Sequence, residues 1–217
     1  MREISRNARN VQGQPMFRVI DKVRQLEAQG RRIIHMEIGD PDFGTPPNII
    51  EAAKASLDHG ETHYVSSWGL PEFIDTIRQT TQRSRGFLPD TNQVLVTPGA
   101  NIAIFYAIFC LANPGQEVLV PDPGFPTYLS AIRSCGAVPV AYPLHDSNGF
   151  RMRAEDIEAR ITDKTRLLII NSPQNPTGAI TEPEALREIF ELAVKHDIYV
   201  YSDEIYARMV YEDQDFF

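Results

Sequence analysis

The residue with the most specific chemical demand is an acid at the end of a buried run. In 198–203 (IYVYSD) an apolar stretch closes on Asp203 and continues into Glu204, Ile205 and Tyr206. Removing a carboxylate from water costs free energy unless a cation or several donors meet it, so Asp203 needs a partner. Capping of a following helix is the plain alternative. A second run, 166–171 (RLLIIN), opens into Asn171-Ser172-Pro173-Gln174-Asn175-Pro176-Thr177-Gly178. Those turn residues restrict the backbone and aim an amide side chain, although a plain loop could carry them too. A third, 117–121 (EVLVP), leads into Asp122-Pro123-Gly124-Phe125-Pro126, a rigid turn holding an aromatic ring that could be a stacking plate or core. A fourth, 93–97 (QVLVT), leads into Pro98-Gly99-Ala100-Asn101 and an apolar helix. Free N–H groups and the dipole at a helix start suit a phosphate, and glycine permits close approach. A capped strand-to-helix turn accounts for the same residues.

These ends have to be placed by a scaffold, and the pattern around them alternates. The four runs and 138–142 (VPVAY) are each followed by a helix-length segment. They are nearly continuous in apolar character, as strands covered on both faces are, and the connections are long enough for helical crossovers. The pattern predicts an α/β fold with a mainly parallel sheet between helices, whose ligands collect at the carboxyl ends of the strands. Upstream, Phe17, Ile20, Val23 and Leu26 recur at helical spacing and Gly30 supplies a left-handed stop, predicting a helix over 16–29. Residues 31–38 read as extended. Pro46 and Pro47 fit the first turn of a helix ending at Gly60, and a third helix runs from about Pro71 to Gly86.

Composition excludes several classes. With 42% hydrophobic and 23% charged residues in 217, the chain is neither disordered nor fibrous, and it is long enough to bury a core. The net charge of −8 is uneven: the first 35 residues carry eight basic and three acidic side chains, the rest thirteen and twenty-six. An acidic body argues against nucleic acid as the main partner. The longest apolar run, Ile102 to Ala112, is too short to span a bilayer and reads as a buried helix, so no membrane role is expected. Cys110 and Cys135 form no CxxC and are expected as buried thiols in a reducing, cytoplasmic compartment. His59 and His63 have metal-like spacing, but Gly60 interrupts a helix between them. No Cys/His set has zinc spacing, and GxSxG, GxGxxG and GxxxxGK[ST] are absent.

A phosphate cradle, an aromatic plate, an aimed amide and an acid needing a cation describe a pocket for a flat, phosphorylated, protonated heteroaromatic ring. Pyridoxal 5′-phosphate has all these features. From about Phe17 to the last residue the sequence resembles the class I/II aminotransferases of the fold type I pyridoxal-phosphate enzymes. The resemblance lies in Gly39-Asp40-Pro41-Asp42-Phe43, Tyr64 with Gly69-Leu70-Pro71, Pro98-Gly99-Ala100, Asn175-Pro176-Thr177-Gly178 and Asp203-Glu204-Ile205-Tyr206. It implies that Asp203 pairs with the pyridine nitrogen, that Asn175 and Tyr206 bond the phenolic oxygen, and that Phe125 stacks on the ring. Gly99, Ala100 and Asn101 would hold the phosphate, and Gly39 would sit beside the substrate carboxylate. Tyr64 would reach the phosphate of a neighbouring subunit, implying a homodimer.

By the same resemblance, residues 1–45 are an arm and helix of a small domain, and 46–217 are part of the large cofactor-binding domain. The activity implied is amino-group transfer from an amino acid to a 2-oxo acid. A carbon–sulfur lyase or another eliminating enzyme of the same fold, or a non-catalytic protein, are the alternatives. Relatives place the Schiff-base lysine a few tens of residues after the Asp-Glu-x-Tyr segment. Lys22, Lys54, Lys164 and Lys195 all precede it. The chain therefore reads as the N-terminal portion of such an enzyme, inactive by itself, with Asp215-Phe216-Phe217 marking a cut.

Overall fold

Alternate side chains of the central strands enter different cores. Val118, Val120, Leu167 and Ile169 face one side of the sheet, and Leu119, Leu168 and Ile170 the other, all fully or almost fully buried. The period-two geometry of a strand buried on both faces requires this division. The computed structural model describes residues 3–5, 8–9 and 15–211. They group into two units, Pro15–Thr97 and the residues from Pro98 onward together with the described N-terminal ones. The terminal Asp215-Phe216-Phe217 and most of the basic arm lie outside the described residues.

In the second unit the chain runs α4 (Ala100–Leu111), β1 (Glu117–Asp122), α5 (Pro126–Ser134), β2 (Val138–Pro143), α6 (Ala154–Glu158), β3 (Thr165–Asn171), α7 (Pro183–Lys195) and β4 (Tyr199–Asp203). The sheet is parallel throughout, in the order β2-β1-β3-β4. Ile104 and Ile108 of α4 and Tyr128, Ala131 and Ile132 of α5 cover one face. Ile157 of α6 and Ile189 and Leu192 of α7 cover the other. Proline at the first turn of α5 and of α7 supplies a fixed φ where no N–H is required. From β1 the chain moves outward to β2, then returns to the opposite side of β1 as β3. The order therefore reverses between β1 and β3, and a crevice opens beyond the strand ends at such a point.

In the unit Pro15–Thr97 the three expected helices form: α1 (Pro15–Glu27), α2 (Pro47–Asp58) and α3 (Pro71–Arg85), the last closed by Gly86 at φ 78°. The extended segment expected over 31–38 forms no strand. It is tied instead through His35, whose ring nitrogens lie 2.9 Å from Glu27 and 2.8 Å from Glu37.

Three expectations are corrected. Residues 93–97 are not a strand: a 3-10 turn over Thr91–Gln93 leads into extended backbone, and Val96 N–H donates to Trp68 O at 3.0 Å. A ladder needs a neighbouring strand, and the neighbour here is a loop. Gly69, at φ 120°, brings that loop so close that a Cβ there would strike the Val96 side chain. The apolar run from Ile102 is helical but only half covered, since Ile104 and Ile108 are buried while Tyr106 and Phe109 are exposed. Its hydrophobicity runs all round the helix, so periodicity could not name a buried face. Cys110 lies on the uncovered side and is exposed, and Cys135 is only partly buried. Burial raises the Cys135 thiol above its ordinary pKa. His59 and His63 are both exposed, and among the described residues no His/Cys/Asp/Glu cluster could hold a metal. None of the described helices is long and apolar enough to cross a membrane.

Candidate active site

At the reversal of strand order, Ala100, Asn101, Ile104, Phe125, Tyr128, Asn171, Asn175, Asp203, Ile205 and Tyr206 line a cavity of about 220 Å³. A water molecule occupies about 30 Å³ of the liquid, so the space takes a small molecule. All the lining residues sit at carboxyl ends of strands or in the turns that follow them, apart from those at the start of α4 and α5.

Asp203 is the last residue of β4 and is 7% exposed. It lies beside Asn171, the last residue of β3. Its Oδ2 accepts from Tyr128 Oη at 2.7 Å, and its Oδ1 accepts from Ile205 N–H at 3.3 Å. The expected partner is thus a pair of donors. No salt bridge reaches this carboxylate among the described residues, so it presents uncompensated negative charge to the cavity. A turn over 205–208 follows, closed by Ala207 N–H to Glu204 O and Met209 N–H to Tyr206 O, and among the described residues no helix comes after it. Burial, and then the charge of Asp203, hold the Tyr128 hydroxyl far above its ordinary pKa. It therefore remains a donor across the physiological range. Tyr201, beneath the same carboxylate, is pushed up to about 12 by burial and by Asp203.

Tyr128 is the residue sequence reasoning missed. It lies one helical turn beyond Phe125, and its ring meets that of Phe125 edge-on at 5.7 Å. The signal was present, since Asp203 demanded donors and the turn after β1 leads straight to this tyrosine. Asn171 was quoted only as the start of a loop, yet its side chain organises that loop. Its Nδ2 donates to Asp203 O at 3.0 Å and Pro173 O at 3.2 Å, and its Oδ1 accepts from Asn175 N–H at 2.8 Å.

Across the cavity, Gly99 is the N-cap of α4 at φ 91°, a left-handed geometry that favours glycine. The first turn of α4 holds no acidic residue. Its leading N–H groups have no intrahelical partner, and with the positive end of the helix dipole they suit an anion. Ala100 and Asn101 line the cavity at that end. Seven of the residues named from sequence thus converge: Ala100, Asn101, Phe125, Asn175, Asp203 and Tyr206 on the wall, and Gly99 at the adjoining cap. Gly39 and Tyr64 belong to the other unit, where both are exposed.

The donor set suits pyridoxal 5′-phosphate. A buried carboxylate without a cation matches a protonated ring nitrogen, and a helix start without acids matches a phosphate. The family described as aminotransferase class I and II matches residues 31–217. The chain is 39% identical over 195 residues to the aspartate aminotransferase of Pyrococcus abyssi, covering 89% of this chain and 50% of that protein. It is also 39% identical over 186 residues to the arginine–pyruvate transaminase of Pseudomonas aeruginosa, covering 86% of this chain and 47% of that one. The solved structure of aspartate aminotransferase from Thermus thermophilus with maleate superimposes with a TM-score of 0.95 at 34% identity, covering 100% of this chain and 57% of that one. The chain belongs to the class I and II aminotransferase family, in its fold type I architecture. It spans about half the length of the relatives it matches.

Proposed function

We propose that the protein carrying this chain transfers an amino group from an amino acid to a 2-oxo acid, with pyridoxal 5′-phosphate held in the cavity described above. The observation that carries this reading is Asp203, a buried carboxylate fixed by two donors, facing a cavity and meeting no cation among the described residues. When bound, the cofactor supplies a protonated ring that withdraws electrons from the substrate's α-carbon. Asp203 keeps the ring nitrogen protonated by accepting its N–H, and Tyr128 holds that carboxylate in place. Asn175 and Tyr206 donate to the phenolic oxygen, and Phe125 covers the ring. Gly99, Ala100 and Asn101 hold the phosphate with backbone N–H groups and the Asn101 amide.

No lysine lines the cavity. The covalent anchor and proton carrier is assigned to the part of the relatives' length that the chain does not span, and these 217 residues alone would be inactive. In the complete protein, residues 1–45 would belong to a small domain and 46–217 to the large one. Gly39 would present its backbone to the substrate carboxylate. Tyr64, wholly exposed in its own unit, would complete the phosphate site of a second copy in a cytoplasmic homodimer.

The relatives' names span aspartate, arginine and aromatic substrates, so the amino acid is left open. The test is an assay of the protein at its relatives' full length, with pyridoxal 5′-phosphate, an amino acid and a 2-oxo acid. Production of the new amino acid only when the acceptor is present supports transamination. Steady keto acid release without an acceptor would replace it with an eliminating enzyme.

A further inference from the structure

Gln174 is 4% exposed, lies outside the cavity wall, and makes four hydrogen bonds through its side chain. Its Nε2 donates to Pro123 O and to Asn175 O, each at 2.8 Å. Its Oε1 accepts from Thr177 N–H at 2.8 Å and from Thr177 Oγ1 at 2.6 Å. A carboxamide offers two N–H groups and two lone-pair directions, and all four are used. Its own backbone closes the same loop, donating to Ala179 O at 2.9 Å and accepting from Gly178 N–H at 2.7 Å.

The two loops joined in this way are those that meet the ring in the proposed function. Pro123 lies two residues before Phe125, and Asn175 follows Gln174 directly. Both loops carry proline, with Pro123 in one, just before the Pro126 that opens α5, and Pro173 and Pro176 in the other. Proline has no N–H, so these segments have few backbone donors with which to tie themselves together. A buried side-chain amide supplies the missing donors to the Pro123 and Asn175 carbonyls.

We propose that Gln174 is the positioning residue that fixes the loop after β1 to the loop after β3, and so sets Phe125 and Asn175 against the cofactor ring. The role toward the cofactor rests on the proposed function, while the clamp itself is a property of the free chain. Gln174→Met keeps the length and removes all four bonds. Gln174→Glu keeps the shape but turns a carboxylate oxygen toward two carbonyl oxygens. Thr177→Val removes one of the four, together with the bond from Ala179 N–H to Thr177 Oγ1 at 3.3 Å.

The test uses the 217-residue chain, its amide signals followed by NMR without ligand and then during titration with pyridoxamine 5′-phosphate. In Gln174→Met, Thr177 amide protection and affinity for pyridoxamine phosphate should each fall about tenfold, in line with losing hydrogen bonds from a buried site. The Phe125 and Asn175 signals should shift, while Ile169 in β3 stays protected. Gln174→Glu should act more strongly, and Thr177→Val less, in the same direction. Unmoved Phe125 and Asn175 signals with unchanged affinity in a folded Gln174→Met chain would overturn the proposal. If Gln174→Met loses protection at Ile169, the same signals in Thr177→Val decide it. If the unmodified chain does not bind pyridoxamine phosphate, the cofactor reading falls, and the ligand-free signals alone decide the clamp.

Discussion

The two units of the chain spend similar kinds of sequence very differently. From Pro98 onward, apolar residues close two cores around a four-stranded sheet, and the strand ends meet in a cavity where Asp203, Tyr128 and Asn171 are held by hydrogen bonds. In Pro15–Thr97, only Val23, Ile74 and Val94 are buried hydrophobics, α2 buries none of its residues, and Ile34, Met36, Phe43 and Tyr64 are exposed. The helices there are amphipathic but have little of their own to pack against, and amphipathic helices take most of their stability from packing. The unit from Pro98 onward thus builds its part of the site from its own residues. The other offers surfaces that, in the proposed function, the remainder of the protein and a second copy would cover.

That contrast can be broken most forcefully by truncating side chains in each unit. Ile169→Ala, within the sheet, should destabilise the chain by about 2–5 kcal/mol in denaturant unfolding, as a cavity-forming core change does. Leu57→Ala, at a position 63% exposed in α2, should fall within about 0.5 kcal/mol. A comparable loss at Leu57 would show that α2 is packed as firmly as the sheet. Next in size, and resting on the proposed function, is Asp203→Asn in the protein at its relatives' full length. It should slow amino-group transfer by roughly 10²-fold or more, the scale of removing one preorganised electrostatic contact, while far-ultraviolet circular dichroism stays unchanged.

Tyr128→Phe should cost about 1.5–3 kcal/mol by thermal or denaturant unfolding, because it removes a hydrogen bond to a buried charged group. A smaller loss would mean that the Asp203 carboxylate finds another donor. The weakest effect is expected at His35. Hydrogen bonds that the ring donates to Glu27 and then to Glu37 raise its pKa above the ordinary 6.5. The folded value exceeds the unfolded one, so the clasp's stabilisation is complete below about 6.5 and disappears as pH rises through the raised value. An NMR titration of the His35 ring should show this elevated value, and Glu27→Gln should lower it. The group is solvent-exposed, so unfolding curves should hardly move.

Much of this was legible in the sequence because strand ends in a parallel sheet are marked twice, by an apolar run and by the turn residues that follow it. Runs 117–121, 138–142, 166–171 and 198–203 became β1 to β4 nearly residue for residue. Run 93–97 carries the same marks but failed, because pairing depends on a neighbour that composition does not report. Asp203 announced its need for donors, yet the donor lay 75 residues away, on one tyrosine among eight that stands in none of the motifs. Gln174 and Asn171 were hidden for a related reason. Their roles lie in bonds to backbone atoms of other loops, which leave no spacing pattern in the chain.

The central claim is that Asp203 faces the ring nitrogen of a bound pyridoxal phosphate. The most direct measurement is the ring-nitrogen NMR shift of ¹⁵N-labelled pyridoxamine 5′-phosphate bound to this chain, followed as the pH is raised until the free ligand loses its ring proton. The bound nitrogen should stay protonated beyond that point and lose this protection in Asp203→Asn. A bound nitrogen that deprotonates along with the free ligand, or is indifferent to Asp203, would contradict it.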